Sequence, residues 1–226
     1  MKALLYKEFK LAMHPICYIF IALFPFMMLI PSYPLGIGFI YLLSTYPILF
    51  LGANKGQQSN DLLYSTLLPV RKKDIVLARI FTVIIMQVAY MAIMSALWPL
   101  ANFIQISLLT YSPDAPQNIG LGVNAFGSLL AFAIIGFAVA DLIFFPIYYK
   151  NGRSIVMSTL LTILGFLLFL GIFTLGLPLA FEAYNNFFTN TLWIQLAFLG
   201  GAILISFLLH LLTYKIASKK LERVDF

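Results

Sequence analysis

The sequence predicts an all-α, polytopic membrane protein with six transmembrane helices and with both termini on the cytoplasmic side. Hydrophobic residues make up 62% of the 226 residues and charged residues only 10%, whereas a soluble domain has roughly 25% charged residues. All 14 Lys and Arg residues fall in four clusters, and each gap between clusters is long enough to cross a bilayer and return. Because basic residues stay on the cytoplasmic side, the pattern indicates three outward and return crossings.

The predicted spans are continuously apolar runs. A helix of about 20 residues crosses a hydrocarbon core of about 30 Å. Helices are favoured over strands because the runs do not alternate between polar and apolar residues. Proline occurs within four of the runs and directly after a fifth, and we interpret it as a residue that membrane helices tolerate. The predicted spans are residues 16–30, 35–51, 80–103, 123–148, 155–177 and 193–214.

The residues before the first span predict an amphipathic elbow helix. Lys7, Lys10 and His14 share one face at i, i+3 and i+7 spacing, with apolar residues broadly opposite. Such a helix suits docking at the membrane interface. Glu8 lies off the basic face, where it is available to a partner protein or to Arg79.

The longest cytoplasmic segment, residues 54–79, joins the second and third spans. Leu63, Leu67 and Tyr64 fall on one face of a short predicted helix, which Pro69 ends. Asp74 is a candidate cap for the third span. A half-apolar helix between two spans predicts a docking element, and an amphipathic helix lying on lipid is the alternative.

One acidic residue, Asp141, lies clearly within a span. A charged carboxylate costs several kcal/mol at mid-membrane, so we expect Asp141 to face the bundle interior or a water-filled cavity. The structural interpretation pairs it with Arg79 or Gln87. The functional interpretation makes it a contact of the translocation path.

Several kinds of chemistry lack their sequence motifs. The dipeptide Gly-Lys never occurs, so no P-loop for ATP is present. The two histidines, His14 and His210, both fall near the predicted cytoplasmic face, and neither a metal site nor a catalytic constellation is expected. The net charge is +6, and the basic residues flank the spans. This position argues against nucleic-acid binding and suits the anionic lipid of the inner leaflet. We interpret residues 1–226 as one membrane domain.

Three stretches resemble a known family. Residues 65–79, STLLPVRKKDIVLAR, resemble the signature that ABC-2 type permeases carry after the second span. Residues 145–153, FPIYYKNGR, are similar to the family's turn after the fourth span, and residues 4–10, LLYKEFK, to its elbow helix. Asn151 departs from the pattern, because the family more often has an aromatic residue before Gly152.

The resemblance implies the membrane subunit of a bacterial ABC exporter in the cell membrane, without an ATPase site or cofactor of its own. ATP and Mg²⁺ would bind a partner ABC ATPase, present in two copies, and a second permease copy or a paralogue would complete the transporter. The overall appearance is similar to small exporters of amphipathic peptide toxins, such as the phenol-soluble modulin exporter. The elbow residues would be Lys7, Glu8 and Lys10, and the ATPase-coupling residues Asp61, Leu62, Leu63, Tyr64, Leu67, Leu68, Pro69, Arg71, Lys72, Lys73, Asp74, Lys150, Gly152 and Arg153.

The alternative is a self-sufficient secondary transporter. Such a protein normally shows ionisable residues inside the membrane or two repeated halves. Asp141 is the one clear charge inside a predicted span, and no repeat is evident in the sequence. Copurification with an ATPase would separate the two hypotheses.

Overall fold

The computed structural model describes residues 2–12, 15–30, 70–111, 125–151, 155–189 and 191–223. This part of the chain is almost entirely helical and contains no strand. The elements in chain order are α1 (Lys2–Lys7), a π-helical segment (Glu8–Ala12), α2 (Pro15–Leu23), a 3₁₀ segment (Phe24–Leu29), α3 (Lys72–Tyr111), α4 (Phe126–Asn151), α5 (Ile155–Leu170), a second π-helical segment (Gly171–Gly176), α6 (Leu177–Ala180), α7 (Glu182–Thr189) and α8 (Leu192–Glu222).

Four helical stretches in the described residues are long and apolar enough to cross a membrane. They are Lys72–Leu108, Phe126–Lys150, Ile155–Ala180 and Leu192–Glu222, and they coincide with the third to sixth predicted spans. A fifth arises if Leu4–Lys10 and Pro15–Leu29, which are bent by 78°, are counted as one crossing. The second predicted span, residues 35–51, lies outside the described residues, so the count of six stays a prediction.

Two helices extend well beyond the predicted spans at their charged ends. α3 has 40 residues and begins at Lys72, eight residues before the predicted start. Asp74 therefore lies in the first turn of the helix, where a carboxylate complements the helix dipole. α8 continues to Glu222 and carries Lys219 and Lys220 in its last turn, where cations are favoured.

Proline does not end the long helices. Pro99 lies inside α3 and Pro146 inside α4, and both helices are continuous across them. Pro178 stands at the start of the short helix α6, where its missing N–H is tolerated. This agrees with the interpretation of proline as a tolerated residue.

α4 is the central helix of the bundle. Of the residues in its most apolar stretch, 67% are buried, against 11% for α8. α4 packs against α8 on one side and α5 on the other. Gly136 permits the contact with α5, because a Cβ at that position would lie 3.0 Å from a ring carbon of Phe166. The outward faces of α5 and α8 are apolar and exposed, as lipid-facing helices require.

The basic residues of different helices gather at one end of the bundle, which we call the basic end. Lys73, at the start of α3, lies 3.3 Å from Glu222, at the end of α8. Arg79 of α3 donates a hydrogen bond to Tyr148, near the end of α4. If the basic clusters share one side of the membrane, as predicted, they must lie at the same end of the bundle. The described residues of these clusters do so.

Candidate functional site

The first candidate site is a buried ion-pair group at the basic end, which we call the elbow cluster: Lys7, Glu8, Arg79 and Tyr148. Arg79 Nε lies 3.5 Å from Glu8 Oε1, and Arg79 Nη1 donates to the Tyr148 hydroxyl at 3.2 Å. Lys7 Nζ lies 3.7 Å from the same Glu8 oxygen. All four residues are buried. The cluster therefore joins the N-terminal segment to α3 and α4 through charged groups that are shielded from solvent.

This geometry confirms one expectation about the elbow and corrects another. Glu8 does pair with Arg79, as its position off the basic face allowed. Lys7 and Lys10, however, do not present one exposed basic face: Lys7 is buried, whereas Lys10 is exposed and donates to the Tyr6 hydroxyl at 2.6 Å. The π-helical segment Glu8–Ala12 widens the helix at this point, which changes the face on which each following side chain lies.

The second candidate site lies deeper in the bundle, and we call it the Asp141 cluster: Gln87, Asp141, Ser206 and His210. Asp141 Oδ2 accepts a hydrogen bond from Gln87 Nε2 at 3.1 Å and lies 3.0 Å from His210 Nε2. Asp141 is completely buried. The expected pairing with Gln87 is confirmed. Arg79, the other partner considered for Asp141, instead pairs with Glu8.

Both ring nitrogens of His210 face oxygen atoms. Nδ1 lies 2.7 Å from the Ser206 carbonyl oxygen, and Nε2 faces the Asp141 carboxylate. The two hydrogen bonds form together only if the imidazole carries a proton on each nitrogen, or if Asp141 carries the second proton. The pair is then neutral overall, which is the favourable state for a carboxylate inside a membrane.

His210 is a residue of this cluster that the sequence analysis does not connect with Asp141. The sequence predicts that it lies near the cytoplasmic face, beside basic residues. In the structure α8 continues for 12 residues beyond His210, about 18 Å of helix. The helical register carries the signal that places it: Ser206, His210, Thr213 and Ala217 follow one another at four-, three- and four-residue steps and form the inward side of an otherwise apolar helix.

A cleft of about 450 Å³ opens beside the Asp141 cluster, between α3, α4 and α8. Gln87, Ser206 and His210 line one end of it. The rest of the wall is almost wholly apolar and includes Met91, Ile134 and Leu199, and it extends away from the basic end. Asp141 itself does not line the cleft; it lies behind His210 and Gln87, which both contact its carboxylate.

An aromatic group closes the bundle at the end opposite the basic end. Phe132 of α4 packs against Phe173, Phe188 and Phe198, with ring centroids 4.7–5.5 Å apart. The Tyr184 hydroxyl donates to the Phe173 carbonyl oxygen at 3.1 Å. Burial raises the pKa of Tyr184 to about 12, so this hydroxyl remains a donor at neutral pH. These contacts hold α7 against the ends of the spans.

The residues predicted to couple to an ATPase are only partly described. Arg71 immediately precedes α3, and Lys72, Lys73 and Asp74 form its first turn. Lys150 lies in the last turn of α4. All five therefore lie at the basic end. The remaining coupling residues, Asp61–Pro69, Gly152 and Arg153, lie outside the described residues, and their role stays a prediction.

No group of three or more His, Cys, Asp or Glu side chains with metal-binding geometry occurs in the described part of the chain. The Asp141 cluster contributes only one carboxylate and one imidazole. Its arrangement is that of a buried polar pair inside a helical bundle.

Comparison with protein families decides the class of the protein. The family described as ABC-2 family transporter protein matches residues 3–222, nearly the whole chain. The chain belongs to this family. A comparison with the curated proteins and another with the solved structures found no significant match.

The family explains why no catalytic constellation is needed. An ABC-2 protein is the multi-pass permease subunit of an ABC transporter and not its catalytic ATPase domain. The sequence contains no P-loop, which agrees with a permease subunit that is not the ATPase. The elbow cluster and the Asp141 cluster are therefore features of a permease, and they are interpreted as such below.

Proposed function

We propose that this permease exports a hydrophobic or amphipathic substrate out of a bacterial cell, driven by ATP and Mg²⁺ bound to a separate ABC ATPase. Two ATPase chains and a second permease, either identical or a paralogue, complete the transporter in the cell membrane. The observation that carries the proposal is the apolar cleft that ends at the Asp141 cluster. An apolar wall with a few polar groups at one end suits a ligand that has an apolar body and a polar end.

An amphipathic peptide, such as a toxin or an antimicrobial peptide, is the substrate class that we favour. The sequence resembles small exporters of such peptides, and the cleft presents both kinds of surface that an amphipathic peptide carries. Met91, Ile134 and Leu199 would contact the apolar side chains. Gln87, Ser206 and His210 would meet a polar side chain.

The ATPase is proposed to dock at the basic end. The segment before Pro69 would insert its apolar face into a groove of the ATPase, and the turn at residues 150–153 would form a smaller second contact. α3 begins two residues after Val70, so movement of the docked segment would pass directly to α3. Arg79 and Gln87 both lie on this helix, and each belongs to one of the two buried clusters.

The test is to replace Leu63 and Leu67 together with Asp. Burial of one leucine contributes roughly 1.5–3 kcal/mol, and the substitution also places two charges in the docking groove. The variant should insert and fold normally, lose the copurifying ATPase and lose transport. The matched control is the double substitution Arg71→Ala with Lys73→Ala, because exposed cations contribute about 0–1 kcal/mol each. Normal export by the leucine variant would contradict the proposal.

One observation favours a second candidate function, a self-sufficient secondary transporter. Asp141 and His210 form a buried ionisable pair, and such pairs mark proton and ion pathways in transporters. The two functions differ in their energy source. Purified permease in liposomes without any ATPase should not move substrate if the ABC proposal holds, and transport driven by a pH gradient alone would favour the second candidate.

A further inference from the structure

At the polar end of the cleft, a buried carboxylate lies behind an imidazole that it contacts. Asp141 is 0% exposed, whereas the His210 side chain is 13% exposed. His210 lines the cleft and Asp141 does not. A ligand that enters the cleft therefore meets the imidazole first and the carboxylate behind it.

The Asp141 carboxylate, at this end of the cleft, needs a partner that neutralises it. A carboxylate inside a membrane protein must be neutralised by a proton, a cation or strong hydrogen-bond donors. Gln87 supplies a hydrogen bond to Oδ2 and has no formal charge. His210 supplies the contact from the cleft side, and its other contacts are to its own helix, at Ser206. A ligand cation could take the position of the imidazole without breaking a contact between α3 and α4.

The size and lining of the cleft define the rest of the ligand. About 450 Å³ lies within the usual range of small-molecule sites, roughly 300–1,000 Å³. Apart from Ser95, the wall beyond the polar end is apolar, and none of the described residues that line it there has a charged side chain. The cleft thus fits an apolar body of moderate size that carries a single charge at one end.

We propose that the cleft is a binding site for an amphipathic cation, whose apolar body lies along Met91, Ile134 and Leu199 and whose positive charge replaces the His210 imidazole beside Asp141. The inference rests on the proposed function and deepens it, because it defines the transported substrate as a cationic amphiphile. A peptide would present one basic side chain with its neighbouring apolar residues. An anionic amphiphile of the same shape could not replace the imidazole, because it would leave the carboxylate without a neutralising partner.

The experiment uses two test ions that share an apolar chain and differ in the sign of the charge at one end: octylammonium and octanesulfonate. Saturable binding of each to the purified permease is measured in nanodiscs of uncharged phosphatidylcholine, after subtraction of binding to empty nanodiscs. The wild-type protein should bind octylammonium in a saturable manner and octanesulfonate not at all. Asp141→Asn should weaken binding of octylammonium by roughly 30-fold, as expected for loss of one buried charge contact.

A second variant protects the test against misfolding of the first. Ala92 lines the cleft five residues beyond Gln87 on α3, so Ala92→Phe should fill the cleft without altering the Asp141–His210 pair. It should abolish saturable binding, and its thermal stability in detergent should stay at the wild-type value. The inference is overturned if the wild-type protein binds no octylammonium, if it binds both ions equally, or if either variant binds octylammonium as the wild type does.

The two proposals fail separately, because the binding measurement needs no ATPase. If cation binding is absent while the Leu63 and Leu67 variant loses its ATPase as expected, only the assignment of the cleft is wrong. If cation binding is present while that variant still exports normally, only the proposed ATPase coupling is wrong.

Discussion

The two buried polar clusters lie on the same pair of helices, about two turns apart, and they are built differently. Arg79 and Gln87 are eight residues apart on α3, and Asp141 and Tyr148 are seven apart on α4, which is roughly 10–12 Å along a helix. The elbow cluster centres on a guanidinium and a carboxylate. The Asp141 cluster centres on a carboxylate and an imidazole beside the cleft.

The difference indicates two different roles. The Arg79–Glu8 pair connects the N-terminal segment to the spans through a guanidinium, a group suited to buried ion pairs. None of the residues of the elbow cluster lines the cleft. The Asp141–His210 pair places ionisable groups beside a cleft, and ionisable groups inside a membrane mark functional sites. We therefore interpret the elbow cluster as structural and the Asp141 cluster as functional.

Breaking the elbow cluster should have the largest effect on stability. Arg79→Met leaves the buried carboxylate of Glu8 without its guanidinium partner, and removing one member of a buried pair costs about 3–5 kcal/mol. The thermal unfolding temperature of the purified permease in detergent should fall sharply, and the yield of inserted protein should fall with it.

The control removes all three charges of the elbow cluster. Lys7→Met, Glu8→Gln and Arg79→Met together remove both ion pairs to Glu8, so this triple variant should be clearly more stable than Arg79→Met alone. If Arg79→Met unfolds at the wild-type temperature, the elbow cluster does not fasten the N-terminal segment.

A smaller effect is expected from the Asp141 cluster. Gln87→Leu removes one hydrogen bond to a carboxylate, which contributes about 1.5–3 kcal/mol, while the contact between Asp141 and His210 remains. Unfolding should occur between the wild-type temperature and that of Arg79→Met. Transport should fall more than stability does, and the ratio of transport rate to folded protein measures this. Equal loss of transport in Gln87→Leu and Arg79→Met, once normalised to folded protein, would remove the distinction between the clusters.

Among the ion pairs compared here, the exposed pair at the basic end should contribute least to stability. Lys73 and Glu222 lie 3.3 Å apart, and their side chains are 52% and 45% exposed. Lys73→Ala should change stability by only about 0–1 kcal/mol, because water and salt screen such a pair. A large shift in the unfolding temperature would mean that burial does not determine the relative contributions of these ion pairs to stability.

Hydropathy alone located the third to sixth spans, because a membrane helix must be apolar along its whole length. It placed the helix ends less well. α3 and α8 extend beyond the lipid-facing run into charged residues such as Lys73 and Lys220, and a hydropathy pattern does not register helix that continues into water. Helix N- and C-terminal charge preferences, which Asp74 and Lys220 satisfy, carry that information instead.

The candidate site could be predicted in part. The high cost of an unpaired charge in a membrane indicates that Asp141 needs a partner, and the sequence offers Gln87 as one candidate. Arg79 is likewise one of the two candidate partners of Glu8. The pairing of His210 with Asp141 is not predicted, because the neighbouring basic residues indicate only that His210 lies near the cytoplasmic face. The contact with Asp141 depends on the orientation of α8 about its own axis relative to α4. The sequence of neither helix alone determines that orientation.

The first four turns of α3 have a mechanical consequence. From Lys72 to Gln87 the helix contains neither glycine nor proline, and Pro99 comes only later. This stretch therefore behaves as a stiff rod of about 24 Å, which carries Arg79 at its middle and Gln87 at its tip. A tilt applied at the base must displace Gln87 from Asp141 unless α4 follows, so the cleft cannot keep its shape while α3 moves alone.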